Sequence, residues 1–393
     1  MLPDRPLSDR SRPDRPAAAP GSALTLDVVE QALVVAFGAG KPRGISRPAA
    51  VFDAKGRAVN RAQCRRDSRL KVTTTPPLPD PAEEVAPLAG TWLFGGMLYA
   101  HFGHFLCEST ARLWALDRVG GQIDGILFYP KKNATWPNRF LAPILPWLTI
   151  AGVRVPVRLA VAPLRVERLL VPEQGFGTGD MIGGSPEYHA FIAGNFGRDV
   201  AAEGAKKIYI SRSNLYSKRG RILGEAALEA RLIAEGYRIF HPQDHPIEHQ
   251  IAQYKAAHTI ISTDCSALHL AAFFAAPGDR IAIIARRPVD TVDDFTTQYR
   301  SFAGIDPLVI SHITRLYSYE GAKLGQMSEV YSAVDHARLG AGLAAAGFIT
   351  TATGWADPTP DALTAELEDW STRMGTTIRP LDMTAPAAAA DAG

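Results

Sequence analysis

The pattern that most constrains the fold is an alternation of short apolar segments with longer amphipathic ones between residues 207 and 285. Strands of about four to six residues that alternate with helices of about a dozen are typical of βαβ units, whose strands form a parallel sheet. Ligands of such sheets bind beyond the carboxyl ends of the strands, so the residues after each strand are the first candidates for a functional site. The predicted strands are 207–211, 237–241, 259–262 and 280–285, and the predicted helices are 224–235, 246–257 and 266–275.

The rest of the chain indicates a second α/β unit before this one. The chain has 393 residues, which is too many for one ordinary core and enough for two. Strands are predicted over 24–37, 125–129 and 168–171, and helices over 101–117 and 138–150. We expect a disordered leader over 1–22, an N-terminal domain over 23–204, a C-terminal domain over 205–325, and a tail over 326–385 whose helix, 328–346, packs back on the domains.

Composition and charge exclude several classes of protein. The formal net charge is +2, which gives no broad basic field for binding nucleic acid. The N-terminus is charged and proline-rich, unlike a secretory signal, and no apolar run reaches the length of about 20 residues that spans a bilayer. The three cysteines are far apart in sequence, which favours a reducing compartment. We therefore expect a cytoplasmic protein without nucleic-acid partners, and the sequence leaves peripheral contact with a membrane open.

The first candidate site is the basic loop ISRSNLYSKRGR at 210–221, which directly follows a predicted buried strand. Guanidinium groups bind phosphate oxygens in pairs, and hydroxyl groups add neutral donors. A solvated basic loop is the alternative, but the position after a strand favours a phosphate site. The cations of this loop are Arg212, Lys218, Arg219 and Arg221.

The second candidate site is the turn STDCSALH at 262–269, where a predicted strand ends and a helix begins. Amide groups at a helix N-terminus attract phosphate, and Ser266 is a suitable N-cap. Asp264 would accept hydrogen bonds from a ribose or sugar hydroxyl, and His269 lies one turn inside the helix. An ordinary capped turn is the alternative, and a nucleophilic Cys265 has no supporting context.

A polar stripe on an otherwise apolar predicted helix marks the third candidate site. His101, His104, Glu108 and Arg112 are spaced by three, four and four residues, so they share one helical face. A largely buried helix must turn such a stripe toward a cleft or pair it internally. The interpretations are a catalytic face with a general base, a polar seam in which Glu108 pairs with Arg112 or His104, and a metal site without the H-E-x-x-H motif.

A fourth group of polar residues follows the strand predicted over 237–241. His241 ends that strand, and Gln250 lies in the first part of the next helix. Both would reach a nucleoside base or ribose bound at the edge of the sheet. Helix capping is the alternative for the acidic residues of the same segment, Asp244 and Glu248.

In their order and spacing, the segments between 101 and 285 resemble glycosyltransferase family 61. Its early H-W/F-x-x-E helix is matched by residues 104–108, and its strand ending in S/T-R by Ser211-Arg212. Its other motifs correspond in outline to residues 219–222, 224–225, 236–237, 249–251, 260–262 and 266–269. The chain departs from the family where Gly224-Glu225 replaces an N-E pair, where Asp264-Cys265 replaces H-G, and where an Asn near Leu270 is missing.

The resemblance implies an α/β, GT-B-like fold of two Rossmann-like domains facing a cleft, and an inverting, metal-independent transfer from a nucleotide sugar. It implies no cofactor besides that donor substrate, and the chain has no D-x-D motif. The acceptor would be a glycan or another hydroxyl compound, in capsule or exopolysaccharide synthesis by analogy. The implied catalytic residues are Glu108, His104 and His101; the donor ligands are Arg212, Lys218, Arg219, Arg221, Asp264, Ser266 and His269; and His241 and Gln250 contact the nucleoside.

Two other functions fit the same residues. The departures from the family at Gly224 and Asp264 motivate a non-catalytic protein that binds a nucleotide or glycan within a polysaccharide-assembly system. A phosphoryl-transfer enzyme on a similar sheet would need a phosphate loop, and the chain has no Walker A sequence.

Overall fold

The computed structural model describes residues 23–37, 44–80, 84–132, 136–215, 219–288, 291–322, 327 and 329–381. The expected leader over 1–22 lies outside them. In the N-terminal half the strands are β1 (Leu26–Val35), β2 (Arg47–Pro48), β3 (Ala50–Phe52), β4 (Thr73–Thr74), β5 (Ala86–Leu98), β6 (Gly125–Pro130), β7 (Val157–Leu159) and β8 (Leu164–Pro172). The helices there are α1 (Phe102–His104), α2 (Leu116–Val119), α3 (Pro137–Leu141), α4 (Leu145–Ile150) and α5 (Pro186–Asn195), and a π-helical turn spans Phe105–Ser109.

The C-terminal half follows the alternation predicted from the sequence and then adds further elements. Its strands are β9 (Lys207–Ile210), β10 (Arg238–Phe240), β11 (Thr259–Thr263), β12 (Arg280–Ile284), β13 (Leu308–Ile310), β14 (Ile313–Tyr319), β15 (Val330–Val334) and β16 (Ile378–Pro380). Its helices are α6 (Glu225–Ala234), α7 (Ile247–Ala256), α8 (Ala267–Ala272), α9 (Thr291–Ala303), α10 (His336–Ala345) and α11 (Pro360–Met374).

Two large sheets organise the described residues into a mixed α/β fold. The N-terminal sheet has six strands in the order β3-β1-β8-β5-β6-β7, in which β8 to β7 are parallel and β1 is antiparallel to its neighbours. The C-terminal sheet has five parallel strands in the order β10-β9-β11-β12-β13. The strand order reverses between β9 and β11, and in such sheets this switch point is where a crevice for a ligand opens.

The strands alternate their side chains between two cores, as a period of two requires. In β6, Ile126 and Phe128 join the core between the two sheets, and Leu127 and Tyr129 join a core on the outer face of the N-terminal sheet. The core between the sheets is filled by helices of both halves. It contains Phe105, Trp114, Leu268, Phe273 and Tyr299.

The C-terminal tail differs from its prediction. A single helix over 328–346 is wrong, because the chain forms β15 and then α10. The run VYSAV at 330–334 suits a buried strand, and the side chain of Asp335 caps the helix by accepting the Arg338 amide at 2.8 Å. β15, β14 and β16 form a three-stranded antiparallel sheet, which the sequence did not indicate.

Proline explains a second difference in the helices. The helix predicted over 138–150 is divided into α3 and α4, with Pro143 between them. Proline cannot donate the backbone hydrogen bond that a continuous helix needs at this position. None of the helices in the described ranges combines the length and the apolar character that a membrane span requires.

Candidate active site

The helix predicted over 101–117 is broken in the structure. α1 is three residues long, and the π-helical turn follows it directly. The Thr110 hydroxyl donates to the Leu106 carbonyl at 2.6 Å, and the Ser109 hydroxyl accepts the Tyr99 amide at 3.0 Å. Side chains that bond to nearby backbone compete with regular helical hydrogen bonds. The prediction of one continuous helix is therefore wrong, and residues beyond the turn leave the predicted stripe.

Glu108 lies inside the π-helical turn, and its side chain is 2% exposed. Its Oε1 atom lies 2.6 Å from His104 Nδ1 and 3.4 Å from Arg66 Nε. Burial raises the pKa of Glu108, but the hydrogen bond with His104 and the charge of Arg66 outweigh burial and hold that pKa below its usual range. Glu108 is therefore a carboxylate that fixes His104, and His104, at 37% side-chain exposure, is the accessible member of the pair.

Three more side chains surround this pair at the carboxyl edge of the N-terminal sheet. The Tyr99 ring follows β5 and stacks on His104, with centroids 5.2 Å apart. Lys131 follows β6, and its Nζ atom lies 5.3 Å from the Tyr99 centroid, where burial lowers the pKa of Lys131 to about 8. Burial and the charges of His104 and Arg219 lower the pKa of His101 to about 4. His101 is therefore neutral at pH 7. The effect of Arg219 on its pKa shows that a cation of the C-terminal half lies near it.

The members of the predicted stripe thus separate. Arg112 is buried and turns away, donating from Nη1 to the Pro172 carbonyl and from Nη2 to the Gln63 carbonyl at 3.1 Å. The internal pair is Glu108 with His104, while Arg112 connects the end of β8 to the segment that contains Gln63. Within the described part of the chain, no three His, Cys, Asp or Glu side chains are grouped so that they could hold a metal ion.

On the C-terminal sheet, the basic loop after β9 carries two cations suited to a ligand. The Arg212 amide donates to Glu225 Oε1 at 2.9 Å, and its Nη2 donates to the Gly220 carbonyl at 3.3 Å. Arg212 Nε is buried and has no acceptor. Arg219 is exposed, and its charge reaches the N-terminal half. Lys218, the third predicted cation, lies outside the described residues.

Arg221 occupies a different environment from the other cations of the loop. Its Nη1 donates to the Ser213 carbonyl at 2.9 Å, and its Nη2 lies 3.3 Å from Glu366 Oε1 of α11. The guanidinium carbon lies 4.5 Å from the centroid of the Trp370 ring. Arg221 is buried in these contacts and holds the loop against α11. Its guanidinium group has a structural role in this geometry and does not face a phosphate.

Asp264 is fully buried, and two arginines that the sequence interpretation missed engage it. Its Oδ2 accepts Arg287 Nε at 2.7 Å, and its Oδ1 lies 3.2 Å from Arg286 Nε. Both carboxylate oxygens of Asp264 are therefore already engaged by arginines, which disagrees with the expectation that Asp264 accepts a sugar hydroxyl. A signal did exist in the sequence, because Arg286 and Arg287 come two and three residues after β12, as Arg212 comes two residues after β9.

The carboxyl edges of the two sheets meet at the start of α1. A Cβ atom placed on Gly103 would lie 2.6 Å from Ser266 Oγ, so this glycine allows the close approach. Ser266 makes no side-chain cap for α8. His269 Nδ1 lies 2.7 Å from Gln298 Oε1, and burial lowers the pKa of His269 to about 4, with the charge of His104 adding to the effect. The structure thus brings Ser266 and His269 beside His101 and His104.

A comparison with protein families gives a match over part of the chain. Residues 102–282 match the family model described as Glycosyltransferase 61. The chain carries a glycosyltransferase family 61 domain. The matched region runs from α1 to β12 and so contains the His104–Glu108 pair and the basic loop, while Arg286 and Arg287 lie just beyond it.

Other comparisons are weaker. Two solved structures resemble the chain: the dodecameric iron-containing heptosyltransferase TibC in complex with ADP-D-beta-D-heptose, at 11% identity over 72% of this chain and 80% of that chain with a TM-score of 0.26, and TibC from enterotoxigenic E. coli H10407, at 11% identity over 76% and 84% with a TM-score of 0.25. At such TM-scores the likeness carries no argument about this chain. A sequence comparison with curated proteins gives no match.

The structure explains the first departure from the family 61 pattern. Gly224 has φ 73°, a left-handed conformation that Gly adopts freely and Asn adopts more readily than most residues. A Cβ atom there would lie 2.5 Å from Pro358 Cγ, so this chain has no room for a side chain at position 224. Glu225, kept from the family's pair, is fully buried and accepts Tyr209 Oη at 3.0 Å and the Arg212 amide. In this family 61 domain, Glu225 therefore holds the basic loop in place.

The two predicted nucleoside ligands lie at the edge strand β10. His241 follows β10 directly, and its buried Nδ1 atom has no hydrogen-bond partner. Gln250 Nε2 donates to the Pro242 carbonyl at 2.7 Å and to the His245 carbonyl at 3.0 Å, which fixes the turn before α7. The amide nitrogen of Gln250 is therefore used within the family 61 domain, whereas its Oε1 atom, like His241 Nδ1, is buried without a hydrogen-bond partner.

Proposed function

We propose that this protein is an inverting, metal-independent glycosyltransferase that moves a sugar from a nucleotide-sugar donor to a hydroxyl acceptor. The observation that carries the proposal is the meeting of the two carboxyl edges at Gly103 and Ser266. A general base held by a carboxylate lies on the N-terminal side, and guanidinium groups lie on the C-terminal side. This placement supports a GT-B-like division, with the acceptor on the first sheet and the donor on the second.

His104 is the general base of the proposed reaction, and Glu108 positions it. The hydrogen bond between Glu108 and His104 Nδ1 leaves Nε2 as the ring nitrogen that takes the proton of the acceptor hydroxyl. The exposures favour this assignment over a direct role of Glu108, because the Glu108 side chain is 2% exposed and that of His104 is 37% exposed. A buried carboxylate cannot reach an acceptor without displacing its partner.

The step then needs charge on the donor side. As the acceptor oxygen attacks the anomeric carbon, the bond from that carbon to the donor phosphate breaks, and the acceptor proton passes to His104. Attack opposite the leaving group inverts the anomeric configuration. Arg212 and Arg219 stabilise the negative charge that grows on the leaving nucleoside diphosphate, which is work that a divalent cation performs elsewhere.

The biological setting rests on the family alone. Family 61 members occur in polysaccharide synthesis, so we place the acceptor among glycans of a capsule or exopolysaccharide and the reaction in the cytoplasm, by analogy. A panel of nucleotide sugars identifies the sugar and the nucleotide.

Incubation of the full chain with a panel of nucleotide sugars and glycan acceptors tests the proposal. We expect transfer in the presence of EDTA, with a product whose anomeric configuration, read by NMR, is inverted from that of the donor. Retained configuration, or activity abolished by EDTA and restored by a divalent cation, would contradict the mechanism. Nucleotide binding without turnover over the whole panel would instead support the non-catalytic, nucleotide-binding alternative.

A further inference from the structure

Asp264 lies between two consecutive arginines at the end of the neighbouring strand. Its Oδ2 accepts Arg287 Nε at 2.7 Å, and its Oδ1 accepts the Arg286 amide at 3.1 Å. Its main-chain carbonyl accepts Arg286 Nε at 3.1 Å. Three bonds from the acid and its backbone therefore fix the direction in which both arginines leave the sheet.

The arginines outnumber the carboxylate that holds them. The charges of Arg212 and Arg287 both act on Arg286, and together with burial, the largest cause, they lower the pKa of Arg286 to about 9 despite Asp264. Arg286 Nη1 is buried and has no acceptor, and neither has Arg212 Nε. Buried donors without acceptors and crowded like charges are both costly, so this cluster is suited to receive an anion.

The position of the cluster agrees with its charge. Arg212 follows β9, Asp264 follows β11 and Arg286 follows β12, so the three lie along one carboxyl edge. The switch point of the sheet falls between β9 and β11, and ligands of open parallel sheets bind in the crevice at such a point.

We propose that Arg286 and Arg287 complete, with Arg212, a binding site for the diphosphate group of a nucleotide, and that Asp264 is the positioning residue that aims them. The nucleotide's role as a sugar donor rests on the proposed function, but the diphosphate site does not. Asp264 then acts through its arginines and does not touch the sugar hydroxyls.

Calorimetric titration of the full chain with inorganic pyrophosphate tests the site without assuming a nucleotide. We expect the unaltered chain to bind pyrophosphate, and Arg287→Gln and Arg287→Lys each to weaken binding by about tenfold or more, because a charge-assisted bond of fixed geometry is lost. The matched control is Arg57→Gln. Arg57 Nε also lies 2.7 Å from a carboxylate, that of Asp53, but its side chain is 73% exposed and lies beside β3.

Asp264→Asn gives the sharper test, because the change in pyrophosphate affinity that we expect is opposite in direction to the change that simple electrostatics predicts. Removing a negative charge from an anion site should tighten binding if Asp264 acts only through its charge. A positioning role predicts weaker binding, since the arginines lose their alignment. Melting temperatures of each variant show whether it is folded, and Arg287→Lys keeps the test open should Asp264→Asn fail to fold.

Three results would overturn the inference: no pyrophosphate binding by the unaltered chain, binding by Arg287→Gln that equals the Arg57→Gln control, or tighter binding by a folded Asp264→Asn protein. Sugar transfer is measured on the same proteins. Pyrophosphate binding that depends on Arg287, without transfer of any sugar, would leave this inference standing and remove the proposed function. Transfer with an unchanged donor KM in Arg287→Gln would do the reverse.

Discussion

At the carboxyl edges of both sheets a buried acid holds neighbouring side chains, but the side chains held differ in charge and number. On the N-terminal edge, one buried acid, Glu108, holds one accessible base, His104. On the C-terminal edge, one buried acid, Asp264, holds two arginines, with Arg212 near them. The first edge can move a proton, and the second can neutralise an anion. The comparison indicates that each buried carboxylate acts by orienting a neighbouring side chain, and that this neighbour determines the chemistry of the edge.

The largest expected effect concerns the C-terminal edge. Asp264→Asn should lower the free energy of unfolding by about 3–5 kcal/mol, because it leaves two nearly buried arginines without their counter-charge. Urea unfolding monitored by fluorescence measures the loss. Asp53→Asn is the matched control, since it removes an acid paired with Arg57 at the surface and should cost far less. Equal losses in the two variants would contradict the buried-pair account of Asp264.

On the N-terminal edge, His104→Gln should lower kcat by about a hundredfold or more, because the reaction loses its general base. Steady-state transfer of the sugar identified in the donor panel measures the change. His258→Gln is the matched control: His258 Nδ1 lies 2.9 Å from Asp279 Oδ1, but the side chain is 59% exposed and away from the junction. A kcat for His104→Gln that equals the control would remove His104 as the base.

Glu108→Gln should have a smaller effect on kcat, about tenfold, because the amide still accepts or donates at His104 Nδ1 but no longer stabilises a protonated ring. The same variant also tests the pairing of Glu108 with His104 through the pH dependence of stability. The folded-state pKa of Glu108 lies below its ordinary value of 4.5, so its contribution to stability is present above that pH and is lost as the pH falls through the folded pKa. The unaltered chain should therefore lose more stability on acidification below 4.5 than Glu108→Gln does, and an equal loss would contradict the pairing.

A purely pH-dependent effect is expected from His269, where the two edges meet. Its pKa falls from 6.5 to about 4 on folding, so the unfolded chain binds more protons between these values and stability drops as the pH falls from 6.5 toward 4. Each pH unit should cost up to about 1.4 kcal/mol from this residue. Urea midpoints of the unaltered chain and His269→Gln at several pH values give the two slopes. A variant slope as steep as that of the unaltered chain would show that His269 is not buried neutral.

The sequence predicted the parts of the molecule that local patterns control. Strands β9 to β12 follow from apolar runs such as KIYI at 207–210, because a buried parallel strand must be apolar on both faces. The spacing of His104 and Glu108 predicted a shared face, and the i,i+4 pair survives in the structure because it ends before the chain leaves the π-helical turn. Arg212 was found from its place after a strand.

What the sequence did not predict depends on contacts between distant segments. Arg221 looks like its neighbours in sequence, and only the approach of Glu366 and Trp370 from α11 makes it structural. Asp264 was expected to face a sugar, because its two arginines follow a different strand. The loss of Arg112 from the stripe comes from hydroxyl bonds to the backbone, which periodicity does not register.

The contrast between the edges is tested most directly by a split of kinetic parameters between His104→Gln and Arg212→Gln on one donor and acceptor. If the N-terminal edge moves the proton and the C-terminal edge holds the diphosphate, His104→Gln should lower kcat with little change in donor KM, whereas Arg212→Gln should raise donor KM as well as lower kcat. A kcat loss in both variants with donor KM unchanged in both, or a donor KM raised equally by both, would contradict the separate roles of the two edges.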